Sequence, residues 1–99
     1  MKWLTPKDPA ETIPITFDFS SLLTSISESS VAVTVLSGTD GSVGSMLSGA
    51  AQASGSSLIQ AIQAGIAGNK YLVRALATGP EGTFVLSTVL PVDLAQNWQ

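Results

Sequence analysis

The sequence contains no cysteine and no histidine. Disulfides, thiolate nucleophiles, most zinc and haem sites and imidazole acid–base chemistry are therefore excluded. Charge is scarce as well. Four Lys or Arg and seven Asp or Glu make up 11% of the 99 residues and give a net charge of −3, against the ~25% usual in soluble domains. No cluster of Lys and Arg exists to neutralise a row of phosphates, so nucleic acid is not an expected partner. No stretch approaches the ~18–20 apolar residues of a membrane helix. The opening Met1-Lys2-Trp3-Leu4 is stopped by Thr5, Pro6 and Lys7 before it becomes the apolar stretch of a secretory signal. The expectation is a soluble chain made without export, with no membrane partner, in keeping with a reducing compartment.

What is present is 44% apolar residues, with Ser, Thr, Gly and Ala filling the places that charge leaves. The length allows one core and no more. Residues 1–12, with Pro6 and Pro9, read as an extended arm. Its apolar Trp3 and Leu4 either fold back on the domain or reach a neighbouring subunit. Ile13 to Phe19 alternates, with Ile15, Phe17 and Phe19 on one face and Thr16, Asp18 and Ser20 on the other, which is the period of a half-buried strand. Ser20 to Ser30 is polar and should bend across the end of a sheet. Val31 to Leu36 is β-branched and reads as a strand with Val31, Val33 and Val35 sharing a face. Ser37-Gly38-Thr39-Asp40-Gly41 reads as a turn, with Asp-Gly supplying the positive φ of a tight reversal.

Met46 to Ala51 is a short, weak strand candidate, and Ser54 to Ser57 another turn. Residues 58–66 fit two patterns. Leu58, Ile59, Ile62 and Ile66 have helical spacing with a Ser cap and Gly68 to end it. As a strand, Leu58, Gln60, Ile62 and Ala64 share a face, and the β-rich runs downstream favour this reading. Those runs, Tyr71 to Ala77 and Thr83 to Leu90, are joined by Thr78-Gly79-Pro80-Glu81-Gly82 in a β-hairpin pattern. Pro91 closes the last strand. The fold class expected is an all-β antiparallel sandwich of six or seven strands over residues 13–92, with an arm before it and a tail over 93–99.

The segment Gly65-Ile66-Ala67-Gly68-Asn69-Lys70-Tyr71 places a glycine-bearing corner before a Tyr that opens a strand. It resembles the corner before the penultimate strand of immunoglobulin-like and fibronectin-type sandwiches, where the Tyr packs inward and its hydroxyl bonds nearby backbone. That resemblance implies a structural role for Gly68 and Tyr71, with Val73 and Ala75 facing the core and Leu72, Arg74 and Leu76 facing out. The antibody-type Cys pair and core Trp are missing. Over about residues 7–92 the chain also resembles small fibre–tail adaptor or tail-associated proteins of tailed phages and prophages. The similarity begins at Lys7-Asp8-Pro9-Ala10-Glu11, passes through Ile15 to Phe19 and the Val-rich run ending Ser37-Gly38-Thr39, and continues over Ala64 to Tyr71 to Leu90-Pro91-Val92. It implies an immunoglobulin-like virion component, made in the bacterial cytoplasm, that binds other virion proteins and copies of itself without catalysis.

The residues support no catalytic motif. Of the acids, Asp18 alone falls within an expected strand, on its polar face, and no Ser-x-x-Lys pair, phosphate loop or dinucleotide fingerprint is present. Asp40 is one carboxylate, too few for a calcium shell of six to eight oxygens. No enzyme, cofactor or metal is expected. The candidate interface is Leu72, Arg74 and Leu76 with Trp3, since Arg and large apolar groups supply most contact energy; the alternative is that this face is covered by the arm or a neighbouring strand. Unpaired strand edges are a second route to association. The rival function is a carbohydrate- or cell-surface-binding module on the same scaffold. Phe17, Phe19, Tyr71 and Phe84 look committed to the core, however, which leaves only Trp3 and Trp98 as aromatic platforms.

Overall fold

Alternation becomes pairing in the computed structural model, which describes residues 2–4 and 7–93. Six strands form two three-stranded antiparallel sheets: β2 (Ile13–Asp18), β3 (Glu28–Ser37), β4 (Leu47–Ser54), β5 (Ser57–Ile62), β6 (Lys70–Gly79) and β7 (Gly82–Pro91). A two-residue strand, β1 (Lys2–Trp3), is added in parallel at the edge of one sheet. The strand orders are β1-β7-β6-β3 and β2-β5-β4. The arrangement is all-β and that of a sandwich.

The core lies between the sheets because the buried side of each strand turns towards the other sheet. From β2 and β5 come Ile15, Phe17, Leu58 and Ile62; from β3, β6 and β7 come Val33, Tyr71, Val73, Ala75, Ala77 and Leu90. Burying each of the larger side chains is worth ~1.5–3 kcal/mol. Met46, fully buried, ends a single 3-10 turn (Val43–Met46) on the crossing from β3 to β4. Phe19 and Leu23 seal the opposite end on the β2–β3 crossing, where the Phe19 N–H donates to Ser56 O (2.9 Å).

Residues 58–62 are strand, not helix, and the favoured strand reading stands up to Ile62. Helical propensity there loses to pairing on both sides, with β2 and β4. Ala64, expected to continue the face of Leu58, Gln60 and Ile62, is instead exposed, because the strand has ended and Ala64 adopts a left-handed φ of 57°. The strand around Val31 begins earlier than its β-branched run, at Glu28, since Glu28, Ser29 and Ser30 pair with Thr78, Ala77 and Leu76. The weak strand expected at Met46 to Ala51 runs over Leu47–Ser54.

The turn at Ser37–Gly41 differs from expectation. The positive φ falls on Gly38 (107°), and Gly41 is not among the residues with positive φ. The chain crosses here from one sheet to the other, so no tight reversal is required. The expected hairpin between the last two strands is present, with Gly79 opposite Gly82.

Candidate functional site

The corner before β6 is a closed hydrogen-bond knot. Tyr71 has no exposed surface. Its hydroxyl accepts from the Ile66 N–H (2.9 Å) and from Asn69 Nδ2 (3.2 Å) and donates to Asp40 Oδ2 (2.8 Å). Asn69 Nδ2 also reaches Thr39 O (2.9 Å), and Asp40 Oδ1 takes the Ser42 N–H (2.8 Å). Three stretches of chain thus meet on one phenol: the corner, the start of β6, and the loop after β3. The Gly68 N–H donates to Val92 O (2.7 Å) and the Val92 N–H to Asn69 O (2.9 Å), which ties the corner to the end of β7. Gly38 is required on two counts: its φ is left-handed, and a Cβ there would overlap the Asn69 side chain. Burial raises the Tyr71 pKa above its ordinary value, against the lowering effect of the Ile66 and Asn69 donors, while the Asp40 carboxylate adds to the rise. Asp40 is thus a turn and tether residue.

A second anchor sits on the arm. Lys7 is almost fully buried, and its Nζ donates to Ala64 O (2.7 Å) and Asp8 O (2.8 Å). Its backbone bridges to Val92: the Lys7 N–H donates to Pro91 O (3.0 Å), and the Asp93 N–H to Lys7 O (2.9 Å). Desolvation lowers the Lys7 pKa below its ordinary value, and the Glu11 and Asp8 carboxylates work in the opposite direction.

On the outward side of β6, strand register arranges three rows. Leu76 lies between Ser30 and Val85, Arg74 between Ala32 and Ser87, and Leu72 between Thr34 and Val89. Arg74 is exposed; Leu72 and Leu76 are half-buried; Val85 is 37% exposed. Neither residue opposite Arg74 is charged, so the guanidinium is the one formal charge within these rows. Trp3 stands at the end of the third row, its backbone in register with Val89; its side chain lies outside the described residues, as does Trp98. Tyr71, Val73 and Ala75 are buried on the inward side.

Where β2 and β7 approach each other at the open side of the sandwich, a cleft of about 340 Å³ is lined by apolar Leu4, Ile15, Phe17 and Leu86 and by Asp18 at its rim. The Ser20 hydroxyl and N–H hold the Asp18 carboxyl below its ordinary pKa. Among the described residues, no group of three or more metal-ligating side chains occurs, and no helix is long and apolar enough to cross a membrane.

Sequence reasoning singled out Tyr71 and Gly68. It missed Asn69, Lys7 and the tether made by Asp40, because each acts on residues 30 or more positions away. It also missed buried Gln60, whose amide donates to Gly49 O (3.1 Å) and Ala61 O (2.8 Å). Gln60 fills the place where the β4–β5 register shifts between Ser48 and Gln52, and the one signal for it was a glycine inside a weak strand. No protein-family model matches the chain, and comparison with curated proteins and with solved structures gives no match.

Proposed function

We propose that this protein is a non-catalytic structural component of a tailed-phage or prophage virion, with an immunoglobulin-like sandwich that joins other virion proteins. The immunoglobulin-like reading draws support from the strand orders β1-β7-β6-β3 and β2-β5-β4 and from a buried Tyr71 whose hydroxyl takes a backbone N–H five residues upstream. The observation that carries the assembly role is the outward face of β6. A single exposed Arg74, flanked by Leu72 and Leu76 and with Val85 beside it, sits on small neutral neighbours that leave it accessible. A guanidinium flanked along its strand by two leucines on a rigid sheet is the kind of composition from which protein contacts draw most of their energy.

The test is incorporation. Particles purified after induction of a lysogen carrying this gene should contain the chain in fixed ratio to other particle proteins by quantitative mass spectrometry. Arg74→Glu and Leu76→Glu variants that keep the wild-type circular dichroism spectrum should be lost from the particles. Particles free of the wild-type chain refute the role, and particles that retain both variants refute the face.

A further inference from the structure

We infer that the free edge of β7, Gly82 to Ser87, is a self-pairing surface on which a second copy of the chain adds its own β7 in antiparallel orientation. Among the described residues, β1 covers β7 only at Thr88 and Val89, and no strand pairs with residues 82–87 on that side. The Leu4 N–H donates to Val89 O (2.8 Å), which fixes the parity of the strand. In an antiparallel ladder both backbone groups of a residue point the same way, and this alternates along the strand. Thr83, Val85 and Ser87 therefore aim their N–H and C=O groups at the open edge, while Phe84 and Leu86 bond to β6.

Sandwich edges are normally defended by charge, proline or a bulge, and the other three edges of this molecule are. Free β2 carries Pro14 and Asp18; β3 carries Glu28 and a register shift between Val35 and Ser37; β4 is irregular between Ser48 and Gln52. β7 has none of these between Gly82 and Leu90: Thr83-Phe84-Val85-Leu86-Ser87-Thr88-Val89-Leu90 is uncharged and rich in β-formers.

The occupant is a second copy because this edge is complementary to itself. A two-fold axis through the Val85 pair sets Thr83 opposite Ser87 of the copy, and all three outward-facing residues exchange both backbone hydrogen bonds. On the inner side, Phe84 then stands across from Leu86 of the copy, at the mouth of the apolar cleft that Leu86 helps to line. Phe84 and Leu86 are only half-buried in the single chain, so pairing completes their burial. No formal charge lies on the paired segment, although each copy carries −3 overall. Association should therefore tighten as salt screens the long-range repulsion. This inference does not depend on the assembly role proposed above.

Sedimentation equilibrium of the full chain, up to about 1 mM, should show a reversible monomer–dimer equilibrium, weak because the contact is small. Amide exchange followed by NMR supplies the specific signature. Thr83, Val85 and Ser87 should gain protection as concentration rises, while Phe84 and Leu86 stay protected throughout. Val85→Lys, which sets like charges side by side, should weaken the dimer by about tenfold or more. Val85→Thr should keep the dimer, and so should Arg74→Ala, which separates edge pairing from the face of β6. A chain that stays monomeric over this range, a dimer whose three amides exchange no more slowly than at low concentration, or a Val85→Lys variant that associates as well as wild type would each overturn the inference.

Discussion

Removing one oxygen atom from the corner is the sharpest test of how this fold is held. Tyr71→Phe leaves the buried ring in place and deletes a hydroxyl that serves three partners: the Ile66 N–H, Asn69 Nδ2 and Asp40 Oδ2. A neutral intramolecular hydrogen bond contributes ~0.5–1.5 kcal/mol net, and a buried donor left unpaired costs ~1–3 kcal/mol. The Asp40 carboxylate is only half-buried and regains water, so its share is discounted. Asn69 keeps Thr39 O as an acceptor. The loss that remains is the Ile66 donor, one shared amide bond and part of the carboxylate bond, or about 2–3 kcal/mol. For a domain near 100 residues this lowers Tm by about 10–20 °C. Urea denaturation read by far-UV circular dichroism measures it, with an unchanged slope showing that the same surface is exposed on unfolding. A double-mutant cycle with Asp40→Ala should give a coupling of at least about 0.5 kcal/mol. A Tyr71→Phe variant within about 0.5 kcal/mol of wild type would show that water replaces the hydroxyl and that the knot is not a principal support of the corner.

Three further outcomes rest on the same geometry. Gly38→Ala sets a Cβ against Asn69 at a left-handed φ and should cost about 1–3 kcal/mol by urea titration. Lys7→Met keeps most of the buried stem but strips the Ala64 carbonyl of its donor, a loss of about 1–2 kcal/mol, and Lys7→Ala loses the packing as well and should fall further, both read from Tm. In alkali, Tyr71 and Lys7 act in opposite directions. The folded-state pKa of Tyr71 is raised above 10.0, so its stabilisation is complete below pH 10.0 and is lost as pH climbs through the raised value. The folded-state pKa of Lys7 is lowered from 10.5, so its contribution is lost as pH falls through that lowered value and is restored above 10.5. Between about pH 8 and 11.5 the urea midpoint of wild type should therefore decline, relative to that of Tyr71→Phe, at the alkaline end, because Lys7 contributes equally to both; parallel pH profiles would remove Tyr71 from the account.

The strands were legible because period-two burial writes itself into the order of residues. Ile15 and Phe17 alternate with Thr16 and Asp18, and Tyr71, Val73, Ala75 and Ala77 alternate with Leu72, Arg74 and Leu76, with no competing helical period. Ambiguity arose where two periods coexist. Leu58 and Ile62 satisfy both, Ile59 only the helical one, and the decision comes from β2 and β4 on either side, which is information about partners. The shift of positive φ to Gly38 has the same origin. A local reading assigns Asp40-Gly41 to a tight reversal, whereas the chain is changing sheets there and needs its left-handed residue where Asn69 crowds the backbone.

Side chains that act at a distance leave almost no local trace. Lys7 looks like a solvated charge among Pro6, Asp8 and Pro9, yet it is buried because β7 draws the arm across the corner and Ala64 presents a carbonyl with a left-handed turn behind it. Asp40 looks like an ordinary turn acid, yet its second oxygen holds a phenol 31 positions away. Edges obey the same rule. Thr83 to Leu90 reads from its composition as a strand and nothing more. That its first half has no partner on the side away from β6 among the described residues depends on β1 being two residues long, and that the edge is unguarded depends on comparing it with the proline, acid and register shifts on the other edges. In a chain with 11% charged residues, the places where charge is withheld from an open backbone edge are the informative ones, because solubility would favour filling them. The proposed pairing would account for the absence of charge at Thr83, Val85 and Ser87, and makes these positions the ones where a single lysine should do most to association and least to the fold.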